Sequence, residues 1–343
     1  MAYISFQPSD YFNTKLYTGN GNASHAQTGI GFQPDFTWIK ERSSTSAHNV
    51  FDAVRGATKN IATNLTGGQS TESESLLSFD SDGFTVGASN GLNEPSQTYV
   101  GWNWKANGSG SSNTDGSITS TVSANTTSGF SIVKYTGTGA NASIGHGLGV
   151  IPHMAIFKRT DTSGFNWFVY HRSLGAGKFI ILDTTGAEQS STSIWQNTTP
   201  TSSVITLGGD GGVNASGGTY IAYCFAEKKG YSKFGSYTGN GNADAPFIYT
   251  GFKPTFIMIK RTDAVGDWGI FDNKREGYND ETNRLKPNAS DAEEDDNFMD
   301  ILSNGFKLRL TSSSINASGG TFIYLAFAES PLVSSNGIPA VAR

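Results

Sequence analysis

A single cysteine, Cys224, stands among 343 residues. No intrachain disulfide is therefore possible, and stability must come from packing or assembly. A lone thiol also fits synthesis in a reducing cytoplasm. Charged residues make up only 15% of the chain, with a net charge of −5. No basic stripe runs through it, so the electrostatic footprint of a nucleic-acid binder is missing. No apolar run is long enough to cross a bilayer. Residues Met1 to Phe6 lack the basic start and apolar core of a signal peptide. Helical periodicity is almost absent.

Chemistry-bearing motifs are sparse as well. There is no Gly-x-Ser-x-Gly elbow and no Gly-Lys-Ser/Thr loop. The glycine clusters at Gly137–Gly139 and Gly145–Gly147 precede strand-like runs, not the helix a phosphate loop needs, so they read as turns. The five histidines, His25, His48, His146, His153 and His171, form no spaced pair at metal-ligand distance. No catalytic residue, cofactor or metal is expected.

What the chain does contain, it contains three times. Tyr17-Thr18-Gly19-Asn20-Gly21-Asn22 recurs as Tyr135-Thr136-Gly137-Thr138-Gly139 and as Tyr237-Thr238-Gly239-Asn240-Gly241-Asn242. Each copy is followed by a Gly-apolar-x-Pro step ending at Pro34, Pro152 or Pro254, then by an apolar run ending in Lys40, Lys158 or Lys260. Each unit closes on one aromatic run: Tyr99 to Trp104, Tyr220 to Phe225, Phe322 to Phe327. The landmarks are far enough apart for each unit to bury a core of its own, which separates them from solenoid repeats.

With 42 glycines and 12% aromatic residues, the composition is that of short strands joined by many turns. The expected fold is all-β, with three tandem β-sandwich domains of jelly-roll or lectin-like type. Their boundaries fall at 1–106, 117–229 and 230–330, with a Gly/Ser/Asn linker at 107–116 and a C-terminal tail at 331–343. In the closing run, Val100, Trp102 and Trp104 share a large apolar face, as do Ile221, Tyr223, Phe225 and Ile323, Leu325, Phe327; that face should meet a core. Tandem glycines before the run, as in Asn214-Ala215-Ser216-Gly217-Gly218, suggest a tight hairpin. Units two and three join almost without a break, so they are expected to pack rigidly, with unit one on a looser tether.

Three groups of residues merit attention as sites. Trp195, in a Ser/Thr/Asn-rich stretch, is the best candidate for an exposed, contact-making aromatic. The run Asp291, Glu293, Glu294, Asp295, Asp296 is the densest charge cluster; it lacks the alternation and glycine of a calcium loop, so a solvated acidic contact loop is the favoured reading. Phe51-Asp52 before Arg55 and Phe271-Asp272 before Arg275 repeat an acid–base pair that Tyr170-His171-Arg172 lacks. Repetition favours internal pairing at a strand end, and the loss in unit two suggests tolerance.

The opening Met1 to Phe12, the Tyr-Thr-Gly-x-Gly runs, Ile39–Arg42, Lys260–Asp263, Ser81–Val86 and the final Phe327–Glu329 resemble a family of marine bacteriophage proteins, seen in phages of marine cyanobacteria and related hosts and often described as tail-fibre or virion proteins. The resemblance implies a structural, non-enzymatic protein of the virion, made in the host cytoplasm. A tail-fibre or tail-associated protein contacting the host surface is the favoured form. A capsid decoration protein is the rival, because three like domains match a threefold axis of the head. A glycan-binding or depolymerising protein is the third reading. Implied partners are other virion proteins, a host surface glycan or receptor, and further copies of the chain, with a trimer suiting either virion role; neither nucleic acid nor membrane insertion is implied.

Overall fold

The computed structural model describes residues 7–276, 279 and 281–328. The expected tail at 331–343 and the opening residues 1–6 lie outside these. The fold is all-β and antiparallel, with α-helix limited to four-residue turns among the described residues.

One strand arrangement recurs three times. An opening strand (Phe12–Thr18, Phe130–Thr136, Ser232–Thr238) pairs with the closing strand (Thr98–Trp104, Thr219–Phe225, Thr321–Ala328). Tyr17 sits opposite Tyr99, Tyr135 opposite Tyr220, and Tyr237 opposite Phe322. The closing strand then pairs with the lysine-ended strand (Phe36–Glu41, Met154–Arg159, Pro254–Arg261), and that with a fourth (Asn49–Asp52, Phe168–His171, Trp268–Asp272). A second, smaller sheet covers this front sheet. It is formed in unit one around Gly83–Val86, in unit two by Ala142–Gly145 with Val204–Leu207, and in unit three around Gly305–Leu308.

The repeated Tyr-Thr-Gly signature has a local cause. A short helical turn precedes each closing strand and ends in Asn93, Asn214 or Asn316, all fully buried. Each Asn Oδ1 accepts the backbone N–H of residue 20, 138 or 240 at 2.8–2.9 Å. Its Nδ2 donates to two carbonyls, as Asn316 does to Asn242 and Leu310 at 2.8 Å. A Cβ on Gly19, Gly137 or Gly239 would lie 2.1–2.4 Å from the carbonyl oxygen just past that Asn, so only glycine fits. The expected tandem-glycine hairpin is thus a helical turn clamped by asparagine. Unit one keeps the clamp although its glycines are gone.

The closing strand has two faces, and both are buried. The smaller face joins the core of its own sandwich: Tyr99 packs with Phe84, Tyr220 and Cys224 with Ile205 and Leu207, Tyr324 with Phe306. The larger face does not. Trp102, Trp104, Tyr223, Phe225, Leu325 and Phe327 enter one cluster shared by all three units. The face meets a core, and that core is the space between the sandwiches. Trp104, Phe225 and Phe327 are equivalent by register, and their ring centroids form a triangle with sides of 6.4, 5.9 and 5.7 Å. That triangle marks a pseudo-threefold axis.

The contacts around the axis repeat too. Gly164 N–H donates to Thr66 C=O (2.9 Å), Gly266 to Thr185 (2.9 Å) and Ser46 to Ser290 (3.0 Å). A second set returns in the other direction at 2.8 Å: Gln69 to Thr160, Glu188 to Thr262, Glu293 to Arg42. Unit two therefore meets one, three meets two, and one meets three, closing a ring. Unit one is not on a looser tether. The expected linker is structured as well: Ser111–Asn113 forms a strand against Ser120–Asn125. Just before it, Asp35 accepts the N–H groups of Ala106 (2.7 Å) and Gly108 (3.1 Å).

Candidate functional site

The repeated acid–base pairs lie at the junctions of this ring. Asp52 and Arg55 are bonded at 2.5 Å, Asp272 and Arg275 at 2.7 Å, with all four side chains nearly inaccessible. Asp52 also accepts Tyr223 Oη at 2.7 Å, and Asp272 accepts Trp102 Nε1 at 2.9 Å. Tyr223, Trp102 and Leu325 are equivalent positions on the three closing strands. Each aspartate thus receives a donor from the next unit.

Unit two explains its own exception. By register His171 replaces the aspartate, and Leu174, not Arg172, stands at the arginine position three residues on. The unit it faces presents Leu325, which has no donor. A carboxylate there would be buried without its cross-unit partner, so acid and base are lost together. His171 Nε2 instead contacts Tyr324 C=O at 3.3 Å, and its Nδ1 accepts the Ser173 N–H at 3.2 Å. Burial pulls the imidazole down to a pKa of about 4, so it is neutral near pH 7. The exchange is coupled across the interface; it is not simple tolerance.

The three lysines point into the same junctions. Lys40, Lys158 and Lys260 are fully buried. Lys158 donates to Phe165 C=O (2.5 Å) and to Leu65 C=O of unit one (3.4 Å). Lys260 does the same to Gly266 (2.6 Å) and to Thr185 of unit two (3.0 Å). Desolvation lowers each ammonium pKa to about 8.

Two of the expected contact features move inward. Trp195 is 1% exposed; it packs on Phe157 with centroids 4.9 Å apart and donates to Lys178 C=O at 3.1 Å. It is core, because the short turn Thr192–Trp195 folds its polar neighbours outward and its ring in. Within the acidic run, Glu293 is a junction residue, held by Arg42 (2.8 and 3.0 Å) and Arg275 (2.8 Å). Burial opposes its charge, yet these two guanidinium groups keep its pKa below the ordinary value. Glu294 bonds Arg284 at 2.7 Å and also pairs with Lys286, which Asp291 reaches at 3.2 Å. Asp291, Asp295 and Asp296 are exposed. Among the described residues no group of three or more His, Cys, Asp or Glu is placed to hold a metal ion.

A different place is open. A cleft of about 300 Å³ sits in unit one, lined by Asn49, Asn60, Ile61, Leu65 and Glu72, with hydroxyls from Ser46, Ser70 and Ser89. Asn60 Nδ2 donates to Asn49 Oδ1 (2.8 Å) and Glu72 Oε1 (3.2 Å). Asn60 Oδ1 is buried with no partner. These residues escaped the sequence reading because no motif links them. A signal existed in the alignment of units: register makes Asn49 equivalent to Phe168 and Asn60 to Phe179.

Comparison with known families gives a match over most of the chain. The model of a family described as a domain of unknown function (DUF7483) covers residues 7–331, so the chain belongs to that family. No curated protein matches it.

Proposed function

We propose that this member of the DUF7483 family is a non-catalytic structural protein of a bacteriophage particle, carried on the tail and contacting the host surface. The bacteriophage part of the reading rests on the sequence resemblance. The non-catalytic part rests on one observation: the buried pairs Asp52–Arg55 and Asp272–Arg275 are bonded inward and spent on joining units. A reactive pair would instead face a cleft where substrate could reach it. A rigid body with three differing outer faces suits recognition by loops held on a stiff scaffold.

The closed pseudo-threefold ring favours a second reading, a decoration protein seated on a threefold position of the head. Immunogold electron microscopy of intact virions, with antibody to the recombinant chain, separates the two. Gold at the tail, with adsorption blocked by free protein, is the expected result. Gold spread over the head would replace host contact with decoration. Unlabelled particles would remove the protein from the accessible virion surface and overturn both.

A further inference from the structure

The cleft in unit one is the place where the threefold repeat has been hollowed out. Asn49 and Asn60 occupy the positions of Phe168 and Phe179 in unit two. There the rings fill the space: Phe168 and Phe179 have centroids 5.3 Å apart, and Phe168 lies 2.1 Å from where a Cβ on Gly212 would be. In unit one the atoms nearest to a Cβ on the matching Gly91 would be Ser46 Oγ, Asn49 Nδ2 and Ser89 Oγ, none nearer than 3.6 Å. In unit three Arg284 stands in the place of Asn60, lies over Phe298 at 4.8 Å and is tied to Glu294. A scaffold that closes the space with rings in one copy and with an arginine in another has emptied it in the third and lined it with amides and hydroxyls.

The lining selects its ligand by chemistry. No Lys or Arg lines the cleft, so a phosphate, sulfate or carboxylate would meet no counter-charge. Glu72 is its one acidic residue, too few for a cation that needs several oxygen ligands. Glu72 Oε1 already accepts Ser70 Oγ at 2.6 Å and Asn60 Nδ2. What is left wanting is a donor for Asn60 Oδ1, in a residue 8% exposed. A buried acceptor without a partner is costly, so the cleft is completed by a molecule bringing an O–H. The half-exposed Leu65 of the lining offers an apolar surface to C–H groups. A neutral ring with hydroxyls on its edge and C–H groups on its face meets both demands, and the volume is at the small end for ligand sites.

We propose that this cleft binds a neutral pyranose ring, with Asn60 Oδ1 accepting a sugar hydroxyl. The proposal deepens the host-contact reading and rests on it for its biological sense. The two fail separately: labelling of particles does not need the cleft, and sugar binding by the purified chain does not need particles.

The test is saturation-transfer difference NMR on the full chain with the methyl glycosides of glucose, galactose, mannose, fucose and N-acetylglucosamine. Transfer to at least one glycoside, with roughly millimolar affinity, is the expected result. Asn49→Phe with Asn60→Phe, which copies unit two, should abolish transfer while leaving the melting temperature unlowered. Asn60→Leu, a smaller change that removes only the amide, should weaken binding at least about tenfold; it decides the matter if the double variant does not fold. Silence across the panel, leaving the cleft to water, overturns the proposal. So does binding that survives both variants, which would place the sugar elsewhere on the chain.

Discussion

Trp102 and Asp272 are 170 residues apart in the chain, yet the indole Nε1 donates to the carboxylate at 2.9 Å inside the protein. The bond joins unit one to unit three and rests on the Asp272–Arg275 pair behind it. Replacing Trp102 by Phe should cost about 2–3 kcal/mol, from a charge-assisted hydrogen bond and lost ring area. Asp272→Leu should cost more, roughly 3–5 kcal/mol, because Arg275 loses the carboxylate that its Nε bonds inside the protein and is left with the shared Glu293. Urea unfolding of both variants checks the order. Equal losses would mean the indole bond, not the ion pair, is the dominant tie.

The His171 position gives a sharper expectation. His171→Asp restores the residue found in units one and three, yet it should destabilise by about 3 kcal/mol or more, since Leu174 supplies no guanidinium and Leu325 no cross-unit donor. Adding Leu174→Arg should recover part of that loss. A double-mutant cycle measures the coupling. Additive losses would sink the idea that acid and base can only be exchanged together.

Because the largest faces of all three front sheets meet in one cluster, the units should not melt one by one. Calorimetry on the full chain is expected to show a single transition, with calorimetric and van't Hoff enthalpies in agreement. A fragment spanning 117–229 alone would expose Ile132, Tyr223 and Phe225 and should be loosely packed or aggregated. Three resolved transitions, or a well-folded fragment, would show the ring to be a weak association of finished domains.

Stability should depend on pH on both sides of neutrality. Lys40, Lys158 and Lys260 titrate near 8 when folded against 10.5 for the ordinary group. Between these values the unfolded chain binds more protons, so stability rises with pH. Burial raises Tyr17, Tyr135, Tyr223 and Tyr237 well above their ordinary 10.0, so above that pH the unfolded chain loses protons first and the gain reverses. On the acid side His171 falls from 6.5 to about 4. Its stability is held above 6.5 and lost as pH drops through 4, roughly 3 kcal/mol from this one group. Melting temperatures across the pH range should therefore peak near the start of tyrosine ionisation. Lys→Met changes at all three positions should flatten the alkaline rise; an unchanged rise would assign it elsewhere.

The sequence pattern carried the local structure well. Alternation in the Tyr99–Trp104 run identified a strand with one large apolar face, and the Pro-led runs marked strands ending at a lysine. It could not say which core that face would join, because burial inside a sandwich and burial between sandwiches leave the same period of two. The asparagine at 93, 214 and 316 was visible as a repeated letter, but its role depends on carbonyls some 70 residues away in sequence. Trp195 misled for a related reason: polar neighbours describe the surface of a turn, not the direction of its one large ring. The cleft was hardest to see, since it consists of side chains that are smaller than their counterparts, and the loss of bulk becomes meaningful only once register says which residues correspond.

The triangle of Trp104, Phe225 and Phe327 has one more implication. Were the axis built from three identical chains, any change there would appear three times at once, and a bulky ring tolerable in one corner would be forced into all of them. Here a single codon alters a single corner. An indole and two phenyl rings can therefore share the centre, and the same freedom extends outward: one outer face can be sealed, another charged and a third opened, with no risk that copies assemble in the wrong combination.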